Sequence, residues 1–290
     1  MAIESLAFLM EAGKQQDLFD VILESDCIER GVSKEQSFAQ MKALYKAICR
    51  AKDGYDPDMR SSSGMVGGDG ARMRRYVAAG KTICGEYMGG VIAQAIEMGE
   101  SNACMKCIVA APTAGSCGVL PAVLLPYQKR ENLSDDDMTR AMYIAGAVGQ
   151  VVATKASIAG AAGGCQAEIG TASAMGAAAL CYLAGGDAEA VCHAAAIAIK
   201  SLLGLVCDPI AGLVEVPCVK RNAAGAAIAM TSADIALAGV RSAVPPDEVI
   251  MAMKEVGDKM DVSLRETGIG GIAGTPFAQK ISEKMSETKN

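Results

Sequence analysis

The most constraining part of this sequence is the uncharged run from Ile169 to Gly186, which consists largely of Ala and Gly with some Thr, Ser and Cys. Its eighteen residues approach the length of a membrane-spanning helix. However, small side chains make the run only modestly hydrophobic, and its neighbours Glu168 and Asp187 are acidic rather than basic. The run is therefore interpreted as a helix buried in a helical core, and no membrane association is expected.

The composition of the whole chain favours the same kind of core. Hydrophobic residues make up 51% of the sequence, but aromatic residues only 4%, and Trp is absent. Small, helix-favouring side chains of this kind pack as close helices rather than as the faces of a β-sandwich. Alternating β-branched residues, which would indicate strands, are not found over any useful length. We predict an all-α, single-domain chain over residues 1–290, with a helical N-terminal segment (1–55) packed on it and a frayed tail (283–290).

Charge and cysteine content limit the possible partners and location. A net charge of −6 argues against a nucleic-acid partner, because such partners are bound by clustered Lys and Arg. The first eighteen residues already carry four charged side chains, so they do not read as a secretory signal. Eleven cysteines without such a signal indicate a reducing compartment, and we expect a cytoplasmic protein.

Local signals place the helices. Residues 3–30 mix apolar and charged positions in a helical manner, and Ser33 with Gln36 forms a capping-box pattern that opens the next helix. A similar start at Ser134 predicts a helix that reaches about Lys155. Further helices are predicted over 71–99, 170–184, 188–203, 222–239 and 246–259.

Three cysteines lie in rigid or Gly-rich settings. Cys207 and Cys218 are eleven positions apart, each close to a proline, and this predicts a stiff non-helical loop that presents two thiols. Cys165 follows two glycines, which let the backbone bend or approach another group closely. Metal ligands and small buried hydrophobes both remain possible interpretations. The separate pair Cys104 and Cys107 is interpreted as helical core packing.

Two loops of small residues have the composition of anion-binding segments. Ser61, Ser62, Ser63 and Gly64 open a Gly-rich stretch that fits a linker or a loop binding an anion, but it lacks the Gly-Lys-Ser/Thr ending of a P-loop. A second loop precedes an apolar helix, where free amides favour anions, although an ordinary helix cap fits as well. Its residues are Thr113, Ala114, Gly115 and Ser116.

Four long motifs occur in order along the chain: APTAGSCGVLPAV (111–123), GGCQAEIG (163–170), GLVCDPIAGLVEVPCVKRNA (204–223) and LRETGIGGIAGTP (264–276). Together they resemble the α subunit of the iron–sulfur L-serine dehydratases of the two-subunit type. The resemblance covers nearly the whole chain. It implies a catalytic subunit that works with a separate β subunit, and we expect a dimer of αβ units.

The resemblance also implies a cofactor and a reaction. It assigns Cys165, Cys207 and Cys218 as ligands of a 4Fe–4S cluster with one open iron, a Lewis acid for the substrate hydroxyl. L-serine would lose water to give aminoacrylate, which hydrolyses to pyruvate and ammonia without pyridoxal phosphate. The two small-residue loops, 61–64 and 113–116, are expected to bind the substrate. The alternatives are an L-cysteine desulfidase of the same superfamily and a non-catalytic metal-binding module.

The general base is the least defined part of this prediction. The single histidine, His193, lies in an Ala-rich helix and is interpreted as a packed core residue. Lys155 would serve as a base if burial lowered its pKa. Glu168 is either a solvated loop acid or a group that orients a cluster ligand or the substrate amine. In fused relatives a histidine comes from the β domain, which leaves open whether the base lies in this chain.

Overall fold

The structure, a computed structural model, describes residues 3–287, and within them the chain folds into helices joined by loops and short turns. The helices are α1 (Leu6–Ala12), α2 (Leu18–Arg30), α3 (Lys34–Asp53), α4 (Asp69–Ala78), α5 (Gly85–Ala103), α6 (Val119–Glu131), α7 (Asp135–Lys155), α8 (Gly160–Gly163), α9 (Thr171–Leu183), α10 (Ala188–Ser201), α11 (Cys218–Leu237), α12 (Pro246–Lys259) and α13 (Pro276–Glu287). No strand occurs over this range, and the one β-type pairing is an isolated bridge between Cys207 and Arg265. The predicted all-α fold is confirmed.

Helix α9 is the centre of the core. Every residue from Thr171 to Cys181 is buried, and the helix packs against α6, α7, α10 and α11. This confirms the interpretation of the uncharged run as a buried helix. Among the described residues, no helix is both long and apolar enough to cross a membrane.

Small residues let α9 and α11 approach each other closely. A Cβ added at Gly225 of α11 would lie 2.8 Å from Ile169 Cγ2 and 3.0 Å from Ser173 Oγ. The Ser173 hydroxyl donates to the carbonyl oxygens of Ile169 (2.7 Å) and Gly225 (3.0 Å), so it joins the two helices while remaining buried. This close packing fixes α11, and therefore its first residue, Cys218, relative to the core.

The N-terminal helices cover one side of this core. Helix α1 packs on α10, while α2 and α3 pack on α7. The rings of Phe19 and Tyr143 meet edge to face, with their centroids 5.5 Å apart. The capping boxes predicted at Ser33 and Ser134 are both present.

Some predicted boundaries are wrong. The predicted helix 71–99 is two helices, because the chain turns between α4 and α5 and both Gly80 (φ +67°) and Gly85 (φ +75°) adopt left-handed conformations. Residues 3–30, predicted only to be helical, form two helices, α1 and α2. The helix predicted from 222 begins earlier, at Cys218. Of the tail 283–290, residues 283–287 belong to α13 and residues 288–290 lie outside the described range, so its fraying stays a prediction.

Candidate active site

Three separate segments bring the thiols of Cys165, Cys207 and Cys218 into the interior, where these residues are 2%, 2% and 8% exposed. Cys165 immediately precedes a turn of π-helix, Gln166–Gly170, which leads into α9. Cys207 lies in a non-helical segment, as predicted, but Cys218 is the first residue of α11. The prediction of one non-helical loop carrying both thiols is therefore wrong at Cys218.

Cys165 and Cys207 each shift the pKa of the other. The neighbouring Cys207, and then the guanidinium of Arg221, hold the pKa of Cys165 below its usual value despite burial. The pKa of Cys207 is raised by Cys165 and by burial. Burial, and then the charges of Cys165 and Glu168, raise the pKa of Cys218 to about 12. The three thiols thus belong to one buried electrostatic environment.

Glu168 joins this thiol cluster to the second small-residue loop. One carboxylate oxygen, Oε1, accepts a hydrogen bond from Thr113 Oγ1 (2.7 Å), while Oε2 lies 4.0 Å from Cys207 Sγ. Burial raises the pKa of Glu168, the hydrogen bond from Thr113 opposes this shift, and the charge of Glu266 adds to it. A Cβ at Gly160 would lie 2.7 Å from Glu168 Oε2 and 3.0 Å from Cys207 Sγ, so the absence of a side chain there leaves room for these groups.

The C-terminal motif 264–276 packs directly against Cys207. The backbone N–H of Cys207 donates to Leu264 O (2.8 Å), and that of Glu266 donates to Cys207 O (2.7 Å). The next residue, Asp208, accepts a hydrogen bond from the backbone N–H of Ile272 (2.8 Å). These contacts fix the Cys207 backbone from the far end of the sequence.

Arg221 connects the two cysteine segments. Its Nη1 lies 2.9 Å from Asp208 Oδ1 and donates to Val206 O (2.7 Å). Arg221 belongs to the first turn of α11, and Val206 and Asp208 flank Cys207. The ion pair therefore holds the Cys207 segment against the start of α11, where Cys218 lies.

The loop at 113–116 is fixed to α11 by Asn222. The Asn222 amide donates to Gly115 O (2.8 Å), and its oxygen accepts from the backbone N–H of Gly118 (2.8 Å). The backbone N–H of Gly118, at the start of α6, is therefore not free to bind an anion. Ser116 is fully buried and accepts from Thr113 N (3.3 Å), while Ala114 begins the short 3₁₀ turn between them. Thr113 is the side chain of this loop that contacts the thiol cluster through Glu168.

The loop at 61–64 is fixed to the Cys218 segment by Glu215, which sequence reasoning did not identify. Ser61 Oγ donates to Glu215 Oε2 (2.8 Å), and Ser63 Oγ donates to the same oxygen. Ser62 is exposed, and Gly64 is exposed with a left-handed backbone. The loop at 113–116 therefore contacts Glu168, which lies beside Cys207, and the loop at 61–64 contacts Glu215, which is three residues before Cys218.

The remaining residues considered from the sequence do not contact the three cysteines. Lys155 Nζ is 3.6 Å from Asp247 Oδ1, and that carboxylate also accepts from the first amides of α1. The structure does not bring Lys155 into contact with the three cysteines. His193 is buried, as predicted, and its Nδ1 accepts from the backbone N–H of Ser242 (3.1 Å). Cys104 lies in the turn after α5 and the exposed Cys107 lies in the loop that follows it, so their interpretation as helical core residues is wrong.

Comparison with known proteins identifies the family of this chain. The family described as serine dehydratase alpha chain matches residues 10–273. This chain belongs to that family. The predicted resemblance to the α subunit of the L-serine dehydratases is confirmed.

The relatives of this chain are named as L-serine dehydratases. It is 44% identical to the probable L-serine dehydratase, alpha chain, of Bacillus subtilis, over 96% of this chain and 93% of the relative. It is also 44% identical to the L-serine dehydratase, alpha chain, of Peptoniphilus asaccharolyticus, over 91% of each chain. L-serine dehydratase 1 of Escherichia coli is 45% identical over 62% of this chain but only 40% of its own length.

Proposed function

We propose that this chain is the catalytic subunit of an L-serine dehydratase, a lyase that converts L-serine to pyruvate and ammonia. The observation that carries the proposal is the convergence of three buried cysteines with Glu168 and Thr113, because it joins the thiols to a small-residue loop suited to a polar substrate. The names of the relatives support the same substrate.

The donor set fits an iron–sulfur group. No set of three or more His, Cys, Asp or Glu side chains between residues 3 and 287 is arranged to hold a single metal ion. A structural zinc ion would require four such ligands, whereas three thiols suit a cluster with one iron left open. We propose Cys165, Cys207 and Cys218 as the ligands of a 4Fe–4S cluster, and the guanidinium of Arg221 would offset part of the negative charge of three thiolates. When bound, the open iron would supply Lewis-acid activation of a hydroxyl leaving group.

The chain's own residues would bind and orient L-serine. Glu168 is proposed to contact the substrate ammonium, because its carboxylate lies beside Cys207 with no Lys or Arg paired to it in the described part of the chain. Thr113 would fix this carboxylate through its hydrogen bond. Loss of the Cα proton and of the hydroxyl, as water, leaves aminoacrylate, which hydrolyses to pyruvate and ammonia with no net oxidation or reduction.

The proton acceptor is proposed to come from a separate β subunit. Lys155 is paired with Asp247, and His193 uses Nδ1 to accept a backbone hydrogen bond, so neither is arranged beside the thiols. The alpha-chain names of the relatives support a second subunit, as does the greater length of the E. coli protein. A dimer of αβ units and a cytoplasmic location stay predictions.

Anaerobic turnover of the reconstituted protein, with β subunit present, tests this proposal. We expect pyruvate and ammonia in equal amounts from L-serine, and iron with acid-labile sulfide in the purified protein. An L-cysteine desulfidase would instead release sulfide and pyruvate from L-cysteine with higher kcat/KM. Bound zinc without acid-labile sulfide, and no turnover of either amino acid, would indicate the non-catalytic module.

A further inference from the structure

A buried ion pair lies beside two of the proposed cluster ligands. Arg221 is three residues after Cys218, in the first turn of α11. Its Nη1 lies 2.9 Å from Oδ1 of Asp208, the residue that follows Cys207. The same Nη1 donates to Val206 O (2.7 Å), on the other side of Cys207. The two charged side chains are only 16% and 4% exposed, so this pair is largely shielded from solvent.

Asp208 has an anchor of its own, apart from Arg221. Its Oδ2 accepts a hydrogen bond from the backbone N–H of Ile272 (2.8 Å). A Cβ added at Gly271 would overlap the same oxygen, so the absence of a side chain there lets the backbone reach the carboxylate. Oδ1 accepts no aligned hydrogen bond within the described residues, so Arg221 meets it through charge alone. Each member of the pair is therefore fixed by a backbone group as well as by its partner.

The charge of Arg221 reaches the thiols of both neighbouring segments. After the neighbouring Cys207, it is the charge that favours the thiolate of Cys165 and so lowers its pKa. At Cys218 it opposes the rise in pKa that burial, as the main cause, produces. Cluster binding requires deprotonated thiols, so a fixed cation at this position favours the form of the ligands that binds iron.

We propose that Arg221 and Asp208 are positioning residues that hold the Cys207 segment and whose opposite charges set the reduction potential of the bound cluster. The inference rests on the proposed function, since it assumes the cluster that the three cysteines would hold. Neither residue contacts the substrate in this account. An added electron makes a cluster more negative, so a nearby cation favours the reduced form and a nearby anion opposes it.

Anaerobic redox titration of the full cluster-loaded chain measures this potential without any turnover, through the paramagnetic signal of the reduced cluster. Arg221→Gln should lower the potential, because it removes the cation. Asp208→Asn should raise it, because it removes the anion while its amide oxygen can still accept from Ile272 N. We expect each shift to be about 59 mV, a tenfold change for a one-electron couple, as when a neighbouring charge moves a pKa by about one unit.

The opposite signs separate an electrostatic role from damage to the structure. Both variants leave one buried charge without its partner, so both should lower the melting temperature. In the double variant Arg221→Gln/Asp208→Asn the potential should return towards that of the unsubstituted chain. Arg221→Lys keeps the charge but not the planar fork, so it should lower stability with a smaller shift in potential.

Lys220→Gln is the matched control, because it removes the same charge from the adjacent residue of α11. The Lys220 side chain is 59% exposed and pairs with Asp69. Solvent and salt screen a charge in this position, so the shift in potential should be much smaller than that of Arg221→Gln. An equal shift in the two variants would contradict a special role for Arg221.

Shifts of the same sign in Arg221→Gln and Asp208→Asn, or unchanged potentials in both with full iron and sulfide, would overturn the inference. If Arg221→Gln does not keep its cluster, an unchanged or lowered potential in Asp208→Asn has the same consequence. A chain that shows the opposite shifts but does not convert L-serine with the β subunit contradicts the proposed function alone. Absence of iron and acid-labile sulfide from the unsubstituted chain would contradict the proposed function and, with it, the premise of this inference.

Discussion

At the scale of single residues, Glu168 connects the thiol of Cys207 to the loop at 113–116. Glu168→Gln keeps an oxygen that can accept from Thr113 but removes the negative charge beside Cys207. We predict a fall in kcat/KM for L-serine of roughly 10- to 100-fold, the size expected for loss of a hydrogen bond to a charged group. Steady-state assays under anaerobic conditions measure it, with exposed Glu266→Gln as the control, for which a smaller change is expected. Wild-type kinetics in Glu168→Gln would remove Glu168 from the substrate site.

His193 is a residue whose ionisation should affect stability rather than chemistry. Burial lowers the pKa of His193; the charges of Arg241 and Lys200 also lower it, while Glu189 and Asp187 oppose the shift. Because the folded-state pKa is the lower one, the unfolded chain takes up this proton first as the pH falls. The stabilisation is complete above about pH 6.5, the usual pKa of histidine, and is lost as the pH falls below it.

Denaturant unfolding at several pH values between 5 and 8 tests this prediction. His193→Asn is the matched variant, because an amide oxygen can still accept from the backbone N–H of Ser242 but does not titrate in this range. The variant should show a shallower fall in unfolding free energy between pH 7 and pH 5 than the unsubstituted chain. Identical pH dependence in the two proteins would show that His193 does not contribute in this way.

At the scale of the helices, the close contact between α9 and α11 gives a stability prediction. A methyl group at Gly225 would approach Ile169 and Ser173 to 3.0 Å or less, so Gly225→Ala should destabilise the protein by about 1–3 kcal/mol. A Cβ added at Gly146 of α7 would meet no atom within 4 Å, so Gly146→Ala should be neutral or stabilising by up to about 1 kcal/mol. Chemical denaturation measures both changes. A Gly225→Ala variant as stable as Gly146→Ala would mean that the helices can move apart without cost.

The helices also show which features were predictable from sequence. The capping boxes at Ser33 and Ser134 and the Ala-rich α9 were predicted because their signals are local. The break between α4 and α5 was missed because residues 79–84 contain no proline, and the glycines at either end reveal their left-handed conformations only in the structure. A short-range pattern does not determine where two helices separate.

The residues of the candidate site likewise include some that the sequence predicts and others that it does not. The three cysteines and the two small-residue loops could be named from motifs, whereas Glu215 and Asn222 could not. Glu215 accepts hydrogen bonds from side chains more than 150 positions away, and Asn222 contacts a loop more than 100 positions away. Both lie within the motif 204–223, so the sequence marked their segment as important without indicating their partners.

At the scale of the whole molecule, the main expectation is that the isolated chain is incomplete as an enzyme. If the β subunit supplies the base, the cluster-loaded chain alone should turn over L-serine about 10²- to 10⁴-fold more slowly than the complex, the usual contribution of a well-placed base. Anaerobic kcat values with and without added β subunit measure this difference. The spectrum of the cluster in the isolated chain serves as the control that this chain carries its full cluster. Equal rates would place the base in this chain, with Glu168 as the first residue to substitute.

The identity of the cluster ligands is the central claim, and anaerobic iron and sulfide analysis of single cysteine variants tests it most directly. The unsubstituted chain should hold roughly four iron and four sulfide ions, the composition of a 4Fe–4S cluster. Cys165→Ala, Cys207→Ala and Cys218→Ala should each lose most of both, together with activity. Cys104→Ala and Cys107→Ala, which alter thiols in the turn and loop after α5, should retain the full content. Full iron and sulfide in any of the first three variants, or their loss in Cys104→Ala or Cys107→Ala, would contradict this assignment.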